Sequence, residues 1–191
     1  LLDQPGSLVR DHARQFPFSM MTLTEAELLG SCDVFPVKFL GVREFHAVLA
    51  GKECLSDLPI HSKDLRLRCE QEVKNLMLRL RNFYLYRGDL TPLLRGTLVD
   101  AARAFLHTAE GMLYLHDGEM PPNRDALLSK LAETFEIDPN VPREVLRLQP
   151  DSESQSTVEI DEKKLRALYG QFADLVTHVA ERIDQFEEDQ Q

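Results

Sequence analysis

The chain has 191 residues, 43% of them hydrophobic and 28% charged, which is enough apolar material for one substantial core and argues against global disorder. Its formal net charge of -10 speaks against non-specific coating of duplex DNA, which needs clustered Lys and Arg, but leaves room for a local basic face. Three cysteines, Cys32, Cys54 and Cys69, are odd in number and form no CxxC pair, so neither a zinc site nor a disulfide framework is supported.

The front of the chain is irregular. It opens Leu1-Leu2-Asp3 rather than with methionine, and Leu8, Val9 and Phe16 read as the tail of an element already under way, so further sequence upstream is expected. Thr24-Glu25-Ala26-Glu27 has the form of a capping box, predicting a short helix that stops near Gly30. Val37, Phe39 and Leu40, led by Pro36, then predict a short strand at a sheet edge. A lone strand cannot satisfy its own backbone, which again points to partners supplied from upstream.

From Ser62 the period lengthens to that of helices. Leu65, Cys69, Val73, Leu76, Leu80 and Phe83 or Tyr84 make one stripe of a helix running to about Arg87, where Gly88 ends it. Cys69 is read as a free thiol in that helix's core. Thr91-Pro92 starts the next, with proline in the first turn and a stripe of Leu94, Leu98, Ala102, Phe105, Ala109 and Met112 that fades by residues 116–118. Pro121-Pro122-Asn123 opens a shorter helix carrying Leu127, Leu128, Leu131 and Phe135, and another short helix is expected over residues 142–148. Residues 150–157 read as a polar loop. Asp161 then caps the last long helix, whose apolar face runs from Leu165 through Phe172 and Val179 to Phe186. The expected fold is mainly α: a helical bundle of three long and one or two short helices over residues 61–191, preceded by a small α/β remnant with one short strand over residues 1–60.

A search for chemistry finds no complete catalytic or metal site. The six histidines, His12, His46, His61, His107, His116 and His178, contain no i, i+4 pair and no HExxH; His107 and His178 are the two that long helices can bring together across a bundle. There is no GxSxG, no GxxxxGK[ST] and no GxGxxG. Ribonucleases of the HEPN type use an Arg followed by a His at a spacing of four to six residues. The nearest approach is Arg103-Ala104-Phe105-Leu106-His107, with three residues between, which still sets both side chains on one helical face and reads first as a solvated polar pair. The helix beginning at Ser62 is rich in bases, and Arg79, Arg81 and Arg87 are the candidate contacts for a phosphate-bearing substrate. The last long helix and its continuation are acidic, so antiparallel docking of the two is expected to pair some of these charges.

Residues 31–51, which include Ser31-Cys32-Asp33-Val34-Phe35-Pro36-Val37-Lys38-Phe39-Leu40-Gly41, resemble the end of the nucleotidyltransferase-like domain of a family of bacterial proteins. Leu65-Arg66-Leu67-Arg68-Cys69-Glu70-Gln71-Glu72, continuing through Leu78-Arg79-Leu80-Arg81 to Tyr84-Leu85, is similar to the first helix of the helical region that follows it, and agreement in outline extends to the final helix. The resemblance implies an accessory domain beside a catalytic core in which a Gly-Ser or Gly-Gly turn binds nucleotide phosphates and an Asp-x-Asp/Glu pair holds Mg²⁺. That arrangement does not occur here. No Asp-x-Asp/Glu follows Gly6-Ser7 at the right distance, Asp33-Val34-Phe35 lacks a second acid, and Lys38 and Gly41 stand where such relatives carry acids. No catalytic residue is carried over, and Mg²⁺ and a nucleotide are expected only with an upstream domain.

The leading expectation is therefore a non-catalytic accessory domain that binds substrate or partner through Arg79 and Arg81. The alternatives are a homodimerising interaction module using the Leu/Phe stripes, and a HEPN-like RNase using Arg103 and His107. Nucleic acid or a nucleotide is a candidate ligand. No apolar run approaches the ~20 residues of a membrane span and no signal peptide opens the chain, so a cytoplasmic location without a membrane partner is expected.

Overall fold

The computed structural model describes residues 20–89, 91–149 and 160–183, together with Gly6 and Val9. The expectations placed on Ser7, Leu8, His12, Phe16, residues 150–157 and Phe186 lie outside the described residues. The chain is mainly helical and divides into two compact units, Leu1–Gly30 and Ser31–Gln191.

In the first unit, α1 (Glu25–Leu29) forms as the capping box predicts. The Thr24 hydroxyl accepts from the Glu27 amide, while the Glu27 carboxylate accepts from the Thr24 amide at 2.7 Å. These bonds hold the Glu27 carboxyl below its ordinary range, the Thr24 amide contributing most.

In the second unit the expected strand is absent: Pro36–Glu44 is a helix, α2. The apolar run is short enough to fit either period, and three physical features decide it. Pro36 takes the first helical turn, where its fixed φ and missing N–H cost nothing. Pro36, Val37, Phe39 and Leu40 are spaced to share one helical face, and all four are buried. A helix also pairs its own backbone, whereas a strand needs a neighbour.

Three long helices follow: α3 (Ser62–Arg87), α4 (Thr91–Asp117) and, after the short α5 (Arg124–Phe135) and α6 (Asn140–Arg147), α7 (Glu162–Arg182). α3 packs against both α4 and α7, α2 against α3 and α4, and α6 against α4 and α7. The stripes named from sequence meet in one core, with Cys69, Leu94, Leu98, Ala102, Phe105, Ala109 and Phe172 wholly buried. Tyr84, one of the two residues expected to close the α3 stripe, is exposed. α3 begins at Ser62 with His61 as its N-cap, and the Asp161 cap of α7 makes no side-chain bond.

Basic side chains from one helix close the carbonyl ends of another. Arg95 of α4 donates twice to the Leu148 carbonyl at the end of α6, at 2.7 and 3.1 Å. His178 of α7 meets the Phe135 carbonyl at the end of α5 at 2.9 Å, and Arg166 of α7 donates to the Gly88 carbonyl at the end of α3. A donor there fills an orphan acceptor, and the two guanidinium groups also oppose the negative pole of the helix dipole. The buried Tyr169 hydroxyl donates to the Leu80 carbonyl at 2.8 Å, and Phe105 meets Phe172 edge-on with ring centroids 5.9 Å apart. These pairings run α3 and α7 antiparallel. α3 also forms charge pairs along its own surface, Lys74 with Glu70 at 2.7 Å and Arg68 with Glu72.

Candidate functional site

The three arginines singled out on α3 do not form one binding face. Arg79, Arg81 and Arg87 are all exposed, but a helix turns about 100° per residue, so Arg81 points about 160° away from Arg79. Arg81 reaches Thr177 of α7 at 3.3 Å, and Arg87 lies about 12 Å along the axis from Arg79. The Leu/Phe stripes of α3 and α7, considered as a surface for a second copy, are spent inside this chain's own core.

Arg103 and His107, in contrast, come together. Both project from one face of α4 into a cleft of ≈ 440 Å³, a size within the range of small-ligand sites. The polar wall adds Glu110 from α4, and Asn123 and Arg124 from the start of α5. The rest of the lining is apolar: Phe45, Leu106, Pro121, Pro122, Leu127 and Leu146.

Each polar group has a traceable origin. The i, i+4 spacing stacks Arg103 and His107 one turn apart, with Phe105 between them in sequence turned into the core. His107 Nδ1 lies 3.4 Å from Glu110 Oε2, one turn further on, and among the described residues its Nε2 has no partner. Arg103 lies 3.4 Å from the strongly exposed Asp100. Pro121 and Pro122 turn the chain, and Asn123, extended at φ -159°, caps α5 by accepting from the Ala126 amide at 2.9 Å. Arg124 is thereby the first residue of α5, and it has no hydrogen-bond or ion-pair partner among the described residues.

That position carries the electrostatic argument. The first turn of a helix favours anions, because its leading amides lack intrahelical acceptors and the dipole is positive there. A guanidinium at this end adds positive charge to positive charge. Together with Arg103 it makes a cationic wall of two guanidinium groups beside the His107 imidazole, with Asp100, Glu110 and Asp125 as the nearby acids. What such a wall can do is hold an anion by charge-assisted hydrogen bonds.

Sequence reading found the α4 pair and the helix start at Asn123 but missed Arg124 and Phe45. The signal for Arg124 was present: a base directly after an N-cap asparagine stands where an acid is favoured. Nothing local marked Phe45, because it joins the cleft only through the packing of α2 on α4.

The other histidines serve elsewhere. His178 is held by the Phe135 carbonyl, so it does not pair with His107; His116 is 2.7 Å from Asp117, and His46 is 2.9 Å from Glu53. Among the described residues no group of three or more His, Cys, Asp or Glu is placed to hold a metal ion, and no helix is long and apolar enough to cross a membrane. Cys32 and Cys69 are buried and Cys54 exposed, all as free thiols. Compared with protein families, curated proteins and solved structures, the chain matches none.

Proposed function

We propose that this chain is a non-catalytic helical-bundle binding module whose ligand carries an anionic group, held in the cleft between α4 and α5. The observation that supports it is the convergence of Arg103, His107 and Arg124 on one cleft, with Arg124 at a helix start, the end that favours an anion. In this reading Arg103 and Arg124 grip the anion, His107 adds a donor when Nε2 carries a proton, and Glu110 orients the imidazole through Nδ1. The sequence resemblance adds a setting, an accessory domain that holds substrate beside a nucleotidyltransferase-like catalytic domain. Its support is the resemblance of residues 31–51 and α3; the strand once expected within the first of these is a helix.

The test is titration of isotope-labelled protein with inorganic phosphate, followed by amide and guanidinium resonances at rising salt. The proposal expects shifts centred on Arg103 and Arg124 that weaken as salt screens the charges. They disappear in Arg103→Ala/Arg124→Ala and persist in Arg79→Ala/Arg81→Ala/Arg87→Ala. The reverse ranking returns the site to α3.

A second reading, a HEPN-like ribonuclease, is favoured by Arg103 and His107 lining the same cleft with Glu110 beside the imidazole. It requires cleavage of single-stranded RNA that His107→Ala abolishes. Intact RNA after prolonged incubation with the unaltered chain removes it.

A further inference from the structure

The lining of the cleft mixes charged and apolar side chains, and an inorganic anion uses only the charged ones. Besides its charged groups the lining holds two proline rings, three leucines and Phe45. Phe45 follows the last residue of α2, and its ring is left 59% exposed at the lining instead of joining the core. An exposed aromatic face at the lining is available to stack a flat ligand.

Resting on the reading of this cleft as an anion site, we infer that its ligand is a phosphate monoester of a planar ring, the chemistry of a nucleotide, free or at the end of a single strand. The phosphate lies against Arg103 and Arg124, where a dianion answers two guanidinium groups better than a single carboxylate does. The ring lies on the apolar lining with Phe45 as its stacking partner. Stacking of this kind tolerates any base, because every base offers a flat π face. Asn123 leaves its amide nitrogen free to donate after its oxygen has capped α5. Phe45 is thus the specificity residue, since it separates a nucleotide from bare phosphate.

Calorimetric titration of the full chain with inorganic phosphate, adenosine, adenosine monophosphate and a 5′-phosphorylated triadenylate tests this. Adenosine monophosphate is expected to bind about tenfold or more tightly than inorganic phosphate, as a stacked base contributes. Phe45→Ala should erase that advantage while leaving phosphate affinity unchanged, and Phe45→Trp should keep it. Equal affinity for the nucleotide and phosphate, or a Phe45→Ala variant that still prefers the nucleotide, overturns the inference while the anion site stands. Loss of phosphate binding as well as nucleotide binding in the unaltered chain overturns both. Tighter binding of the triadenylate than of the mononucleotide identifies a strand end as the source, and equal binding identifies a free nucleotide.

Discussion

Gly111 of α4 faces Cys69 of α3 so closely that a β-carbon on it would stand 2.9 Å from the Cys69 Sγ. The same carbon would lie 3.3 Å from Leu65 Cδ1 and 3.4 Å from Val37 Cγ2, so three helices converge on the bare α-carbon. Cys69 is wholly buried, donates to the Thr108 carbonyl at 3.7 Å, and has little room to yield. Its thiol is pushed up to about 12 by burial, so it is a packing element rather than a nucleophile.

Gly111→Ala should therefore cost about 1–3 kcal/mol through overpacking, against the gain that alanine normally brings inside a helix. Urea unfolding measures it. In Cys69→Ala/Gly111→Ala the clash is gone, so the double variant should be more stable than the sum of the two single losses allows. Strict additivity would mean the two residues are not in contact.

Arg95 gives a second handle on stability. Both of its donated bonds go to one carbonyl, Leu148 at the end of α6. Arg95→Ala leaves that acceptor unpaired and should lower stability by about 1–3 kcal/mol, with Arg95→Lys intermediate because an ammonium keeps the charge and loses the fork. Local hydrogen exchange across α6 should rise in step; an α6 no more open than before would show that the cap is idle.

Much of the fold could be read from the chain. Stripes of period 3.6 are informative over many turns, and Leu65, Cys69, Val73 and Leu76, or Leu94, Leu98 and Ala102, have only one helical interpretation. The five residues of sequence from Pro36 to Leu40 have two, and the choice fell to tertiary packing, with Val37 and Leu40 buried in the core shared with α3 and α4. The site followed the same logic. Arg103 and His107 are neighbours by local spacing alone, whereas Arg124 and Phe45 reach the cleft from helices distant in sequence. The α3 arginines looked like a patch because they are close along the chain, but a rotation of about 100° per residue sends Arg79 and Arg81 to opposite sides of the helix.

Tyr169 predicts an alkaline response. Burial pushes its phenol up to about 12 from an ordinary 10, while the unfolded chain ionises at the ordinary value. A raised folded value means the stabilisation is complete below pH 10 and is lost as the pH rises towards 12. Thermal melts of the unaltered chain should fall more steeply over that window than those of Tyr169→Phe. Parallel curves would show that burial does not raise the Tyr169 phenol.

The segment after α2 predicts a response nearer neutrality. His46 Nδ1 meets the Arg43 carbonyl at 3.1 Å and Nε2 meets Glu53 at 2.9 Å, which together suit the doubly protonated ring. Glu53 also accepts from the Leu55 and Ser56 amides, and these bonds, with His46, hold its carboxyl down at about 2. His46 is raised above its ordinary 6.5, chiefly by Glu53. The histidine contribution is present below pH 6.5 and lost as pH rises through its higher folded value, and the glutamate contribution is present above pH 4.5 and lost as pH falls towards 2. Protection of the Leu55 and Ser56 amides should thus fall on the alkaline side in the unaltered chain. In Glu53→Gln it should be low and flat with pH. An unchanged profile would contradict the assignment.

The cleft itself can be interrogated directly. Crystals of the chain soaked in tungstate, a heavy phosphate mimic, would locate the bound anion by anomalous scattering. An anion site formed by α4 and α5 predicts a peak bounded by Arg103, His107 and Arg124. Peaks confined to α3 around Arg79 and Arg87, with none between α4 and α5, would contradict it.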